Sequence, residues 1–153
     1  MKISAVNEGA SLIANIGVIA SIVFLGLEMQ QNTAMMQSQT RNSIVENQLG
    51  LYELAIENAE LHDIVDRLNS NLDVELAELR QIDFWTLSQF RMWENEFFQH
   101  EIGLFDSEEF EARVNWWRFV MGFDYALERW EGSQETFAPD FGVYLNEIID
   151  EIS

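Results

Sequence analysis

The sequence predicts an all-α protein: an N-terminal transmembrane helix continuing into a long stalk helix, then a compact domain of antiparallel helices. Three observations predict it. The run Gly9 to Leu27, GASLIANIGVIASIVFLGL, carries no charge and is fenced by Glu8 and Glu28. Beyond it, apolar residues recur at helical spacings, with no β-alternation of useful length. Helix start and stop signals then punctuate the second half at Gly103, Asp106, Gly132 and Pro139.

At about 1.5 Å per residue the first run spans roughly 28 Å, close to the hydrocarbon thickness of a bilayer. A cleavable signal peptide needs a basic start, a shorter apolar core and small residues before the cut. Here the core is long and exits through Leu27, Glu28, Met29 and Gln30. The competing expectation is a buried helix of a soluble protein, because Ser11, Asn15 and Ser21 dilute the hydrophobicity. The span is preferred, and it makes the chain a single-pass membrane protein. Within it Ala10, Ala14, Gly17 and Ser21 share one face, opposite Leu12, Ile16, Ile19 and Val23. Small residues in register let two helix backbones approach closely, and Asn15 or Ser11 beside them can hydrogen-bond across such an interface. Ala10, Ala14, Asn15, Gly17 and Ser21 are therefore the expected contact face for another membrane protein or a second copy of the chain.

From Met29 to Ser43 the chain reads MQQNTAMMQSQTRNS, with no Gly or Pro and a single charge at Arg41. Good helix formers continue the helix. Ile44, Val45, Gln48, Leu49, Tyr52 and Ile56 then carry a helical stripe past Gly50, so one helix from about Ala10 to about Asn58 is expected, some 70 Å long. Its uncharged polar residues are either solvated or line the axis of a bundle. Asn58 caps a short helix, Glu60 to Leu68, and Asn69, Ser70 and Asn71 form a loop. Three regions result: 1–28 with the span, 29–68 with the stalk and short helix, and 69–153.

The third region holds the core. Of the chain's aromatic residues only Phe24 and Tyr52 precede Phe84. Asp73 is the expected N-cap of a helix reaching Glu101, which Gly103 ends. Asp106 with Glu109 reads as a capping box for a helix striped by Phe110, Val114, Trp117 and Met121. A short helix from Asp124 to Glu131 and a last helix opened by Pro139, with Phe141, Leu145, Ile148 and Ile152 on one face, complete it.

Charge excludes one class of partner. Lys2, Glu8 and Glu28 leave −18 of the formal −19 to residues 32–153, where seven arginines face 25 carboxylates. No basic patch forms on such a surface, so nucleic acid is not expected as a partner. The absence of cysteine removes disulfide and thiolate chemistry.

On the helix from Asp73 to Glu101, Leu79, Leu87, Phe90, Trp93 and Phe97 share a face into which Asp83, Glu94 and Glu101 also fall. Carboxylates there are buried unless paired, and clustered acids can do acid/base work or bind metal. Partners are at hand in Arg80, Arg91, Arg113 and Arg118, so structural ion pairs are the preferred reading. A di-metal carboxylate bundle requires Glu-x-x-His steps. His100 has Phe97 three residues earlier, and His62 has Ala59. No Gly-x-Ser-x-Gly elbow or glycine-rich phosphate loop is present. No catalytic residue, cofactor or metal is expected, and the chain reads as a non-catalytic accessory or scaffold subunit. The alternatives are a self-assembling stalked ring or small pore and, more remotely, a carboxylate site.

The segment SIVFLGLEMQQNT, with WENEFFQHEIGLFDSEEF and FAPDF later in the chain, resembles a family of small bacterial proteins with one N-terminal span. There the span runs into a Gln-x-x-Gln-Asn-Thr-like helical turn, and a Trp/Tyr-Glu-Asn-x-Phe segment precedes a Gly-Leu turn. The resemblance implies a membrane-anchored helical domain without an established activity, and no functional residue is carried over. This chain has Gln30 and Gln31 where a basic residue often follows the span. Only Lys2 on one side and Arg41 on the other then inform orientation, leaning toward an inside N-terminus.

Overall fold

The computed structural model describes residues 2–70 and 72–152, with side chains from Asn7 onward. It is all-α: α1 (Lys2–Glu57), α2 (Ala59–Asn69), α3 (Leu76–Glu101), α4 (Ser107–Met121), α5 (Asp124–Glu131) and α6 (Pro139–Ile152), with a 3₁₀ turn at Gln134–Thr136. By contacts the chain divides into two units, Met1–Ser38 and Gln39–Ser153.

The first unit is the N-terminal part of α1. The helix begins at Lys2, earlier than Ala10, because nothing in 2–9 breaks it. Its most apolar window has no buried residue, so it is not a core helix of this chain. Leu12, Ile13, Ile16, Ile19 and Phe24 are all more than half exposed. Ser21 Oγ donates to the Gly17 carbonyl at 2.8 Å, and Thr33 Oγ1 to the Met29 carbonyl at 3.0 Å. Such back-bonding satisfies a hydroxyl locally where no tertiary partner exists.

The second unit packs the remainder of α1 with α2 to α6. Asn58 separates α1 from α2 and its Oδ1 accepts from the Leu61 N–H, as an N-cap should. The α2 helix extends to Asn69 and is capped at Ser70; Asn71, the third residue of the expected loop, lies outside the described residues. The start of α3 is later than expected. Asp73 precedes the helix, and the N-cap is Glu75, whose N–H donates to the Glu78 carboxylate at 2.8 Å. Gly103 ends α3 at φ +75°, a conformation other residues rarely adopt. Asp106 Oδ1 accepts from the N–H groups of Glu108 and Glu109 and so opens α4. The Glu109 side chain does not reach back to complete a box; it pairs with Arg41 at 2.7 Å.

α3 packs against α2, α4, α5 and α6, and is the central element of this unit. Phe90, Trp93, Phe110, Trp117, Trp130 and Phe141 form the main core, joined by Ile44 from α1. Trp93 stacks on Trp117 with ring centroids 5.3 Å apart and planes 16° off parallel, while Phe90 meets Trp130 edge-on at 5.4 Å. The α4 stripe is buried as expected, and so are Phe141, Leu145 and Ile148 of α6, whereas Ile152 at its end is exposed. Leu61, Ile64 and Ile82 form a smaller cluster between α2 and α3.

Candidate functional site

The buried face of α3 coincides only in part with the expected apolar stripe. Phe90 and Trp93 of that stripe are fully buried, together with Ile82, Thr86, Gln89 and Glu96, while Leu79 is exposed and Leu87 and Phe97 are only half-buried. The helix is thus rotated so that three polar side chains enter the core. One of them, Glu96, is fully buried. Burying a carboxylate is costly unless it is paired and hydrogen-bonded, and both conditions are met. Arg113 Nε on α4 lies 3.2 Å from each Glu96 oxygen, and Gln48 Nε2 on α1 donates to Oε1 at 2.9 Å. Three helices are cross-linked at one charge.

Of the arginines expected to form buried pairs, Arg113 alone does so with a fully buried acid, and its partner is Glu96. Arg80 is exposed and makes no ion pair among the described residues. Asp83 is itself 44% exposed and is met by Arg129 at 3.5 Å. Arg91 and Glu94 pair at 2.8 Å, with Arg91 half in solvent. That pair is nonetheless structural: Glu94 accepts from the Ala138 N–H at 2.6 Å, and Arg91 donates to the Thr136 carbonyl at 2.8 Å and lies over the Phe137 ring. Together they pin the segment leading into α6. Glu101 is exposed on the last turn of α3. Arg118 bridges Glu111 at 3.0 Å and Glu151 at 3.1 Å near the surface, and these carboxylates raise its guanidinium above the ordinary value, Glu111 chiefly.

A cavity of about 300 Å³ opens within this second unit beside Arg113. Trp85, Met92, Trp116, Phe119 and Tyr125 supply most of its wall, with Gln89 and Arg113 among its few polar groups. Trp85 and Met92, which the sequence pattern leaves outside the main stripe, are half-buried because they face this space. Trp116 and Phe119 meet with ring centroids 5.3 Å apart and planes tilted by 32°, and stay 40% and 58% exposed. Burial raises the Tyr125 phenol above its ordinary value, so it is neutral at physiological pH.

Neither histidine belongs to a metal-ligand set. His62 Nε2 lies 3.0 Å from the Ala55 carbonyl, and His100 stacks on Phe110 with centroids 4.1 Å apart. No group of three or more His, Cys, Asp or Glu is placed to hold a metal among the described residues.

Ala10, Ala14, Asn15, Gly17 and Ser21 are all exposed along one helix. Gly17 has open space where a side chain would stand. The Ser21 hydroxyl is spent on the Gly17 carbonyl, which leaves Asn15 as the stronger donor to any neighbour.

Comparison with protein-family models, with curated proteins and with solved structures finds no match. No family is assigned, and what stands is an all-helical protein with one long apolar N-terminal helix.

Proposed function

We propose that this chain is a single-pass, membrane-anchored accessory subunit of a bacterial inner membrane, non-catalytic, whose apolar helix docks beside another membrane protein. One observation carries the reading. The most apolar window of α1 is entirely unburied, and a run of exposed Leu, Ile, Val and Phe side chains of this length is not stable against water. A bilayer satisfies the apolar side chains, and the unbroken helix satisfies its own backbone groups, as hydrocarbon requires. The second unit supports a scaffold role: its arginines pin structural elements to one another, as Arg113 does at Glu96, Arg118 at Glu151 and Arg91 at Thr136. Its acidic surface disfavours nucleic acid and anionic headgroups, in keeping with a protein partner.

A second reading is a self-assembled oligomer. The observation favouring it is the open face at Ala10, Ala14 and Gly17 with Asn15 beside it, where two copies could approach closely. One experiment separates the two. The full chain carrying Gly17→Cys is oxidised in native membranes and then examined by mass spectrometry after mild extraction. A larger assembly containing a different subunit supports the accessory role. A ladder of disulfide-linked copies supports self-assembly, and uncrosslinked monomer alone removes both.

A further inference from the structure

We propose that the cavity beside Arg113 is a binding site for a small, neutral, flat aromatic compound carrying a carbonyl oxygen. Its size comes first. A space of about 300 Å³ is at the lower end of ligand pockets and takes a two-ring molecule. The wall is aromatic on several sides, so a flat ring gains contact by stacking on Trp85, Trp116 or Phe119.

Two polar groups decide the rest of the chemistry. Gln89 is about nine-tenths buried, lines the cavity, and makes no hydrogen bond with the described residues. Its amide keeps some exposed surface, so it stands open as a donor and acceptor to a molecule in that space. Arg113 also lines the space. Its Nε is engaged by Glu96 and Nη2 is sealed away from solvent and cavity alike, which leaves Nη1, without a protein acceptor, as the donor a molecule in the cavity can reach. A ligand oxygen accepts there in place of water.

Charge makes the ligand neutral. Glu96 already balances Arg113, and the chain carries −19, so a carboxylate entering the cavity would add an unmatched anion in a negative field. A ketone or quinonoid oxygen accepts the same hydrogen bonds without that cost. The neutral Tyr125 phenol supplies one more polar group on the wall.

The test is a calorimetric titration of the full chain in lipid nanodiscs, with empty nanodiscs as the blank. Three probes of one shape are compared: 2-acetylnaphthalene, 2-ethylnaphthalene and 2-naphthoate. The ketone is expected to bind about tenfold more tightly than the hydrocarbon, the size of one good hydrogen bond, and more tightly than the anion. In Gln89→Leu the ketone's advantage shrinks severalfold, and Ala55→Phe, which fills the space, removes binding of all three. Equal binding of ketone and hydrocarbon, tighter binding of naphthoate, or no heat above the blank overturns the proposal.

Discussion

The two units of the chain use the same apolar residue types in opposite ways. In residues 39–153 a core set of large side chains turns inward: Trp93, Trp117, Trp130 and Phe141 are buried to within about a hundredth of their surface. In residues 7–38 none does; Leu12, Ile13, Val18, Ile22 and Phe24 are more than half exposed. The second unit has the breakers and caps that fold helices back on one another, from Asn58 to Pro139. The first is one unbroken helix whose described side chains, from Asn7 onward, are exposed. A sequence that buries apolar residues against itself builds a head; one that offers them along a single unbroken helix requires an apolar environment from outside, which on our reading is the bilayer and a partner within it.

The contrast can be broken most strongly in the aromatic core. Trp117→Ala removes the partner of Trp93 and should cost about 3–5 kcal/mol, whereas Ile16→Ala should leave the stability of the head unchanged. Urea unfolding followed by tryptophan fluorescence checks both, and a comparable loss in Ile16→Ala would mean that the first unit is part of the cooperative core. Glu96→Gln comes next. It keeps the shape but leaves Arg113 facing a neutral amide, with an expected loss of about 2–3 kcal/mol in the same assay. Arg80→Gln, at an exposed unpaired position, is the control and should lie within about 0.5 kcal/mol of the parent.

A smaller effect is expected in acid. Arg67 chiefly, and the Glu75 N–H, hold the Glu78 carboxyl below its ordinary value. A carboxyl lowered by folding contributes its full stability above the unfolded-state pKa and loses it as the pH falls through the folded value. Thermal melts should therefore show part of the acid destabilisation below about pH 4 disappearing in Glu78→Gln. The smallest change is a gain. Gly50 lies inside α1 with open space at its missing Cβ, so Gly50→Ala should stabilise the head by about 0.5–1 kcal/mol, readable as a raised urea midpoint.

The elements were largely legible because their signals are local. The stop at Gly103, the cap at Asp106, the bounds of α5 and the first turn of α6 depend on residues within a few positions of one another. The rotation of α3 was not legible, because it depends on other helices. Hydrophobicity alone favours the face of Leu79, Leu87, Phe90, Trp93 and Phe97, of which Phe90 and Trp93 are buried, and only Arg113 and Gln48, seventeen and forty-eight residues from Glu96, make that acid tolerable in the core beside them. Trp85 and Met92 carried the available signal, since two large apolar residues away from the chosen stripe mark a second buried face. The ion pairs followed the same division. Arg91 with Glu94, one turn apart, could be paired from spacing, while Asp83 with Arg129 could not.

The central claim is that the run Gly9 to Leu27 is covered by something apolar while the head stands in water. A chain without cysteine allows a direct measurement: single Gly17→Cys and Glu128→Cys variants, labelled with a water-soluble maleimide in permeabilised native membranes. The account predicts full labelling at 128 and almost none at 17. Equal labelling at both positions would contradict it.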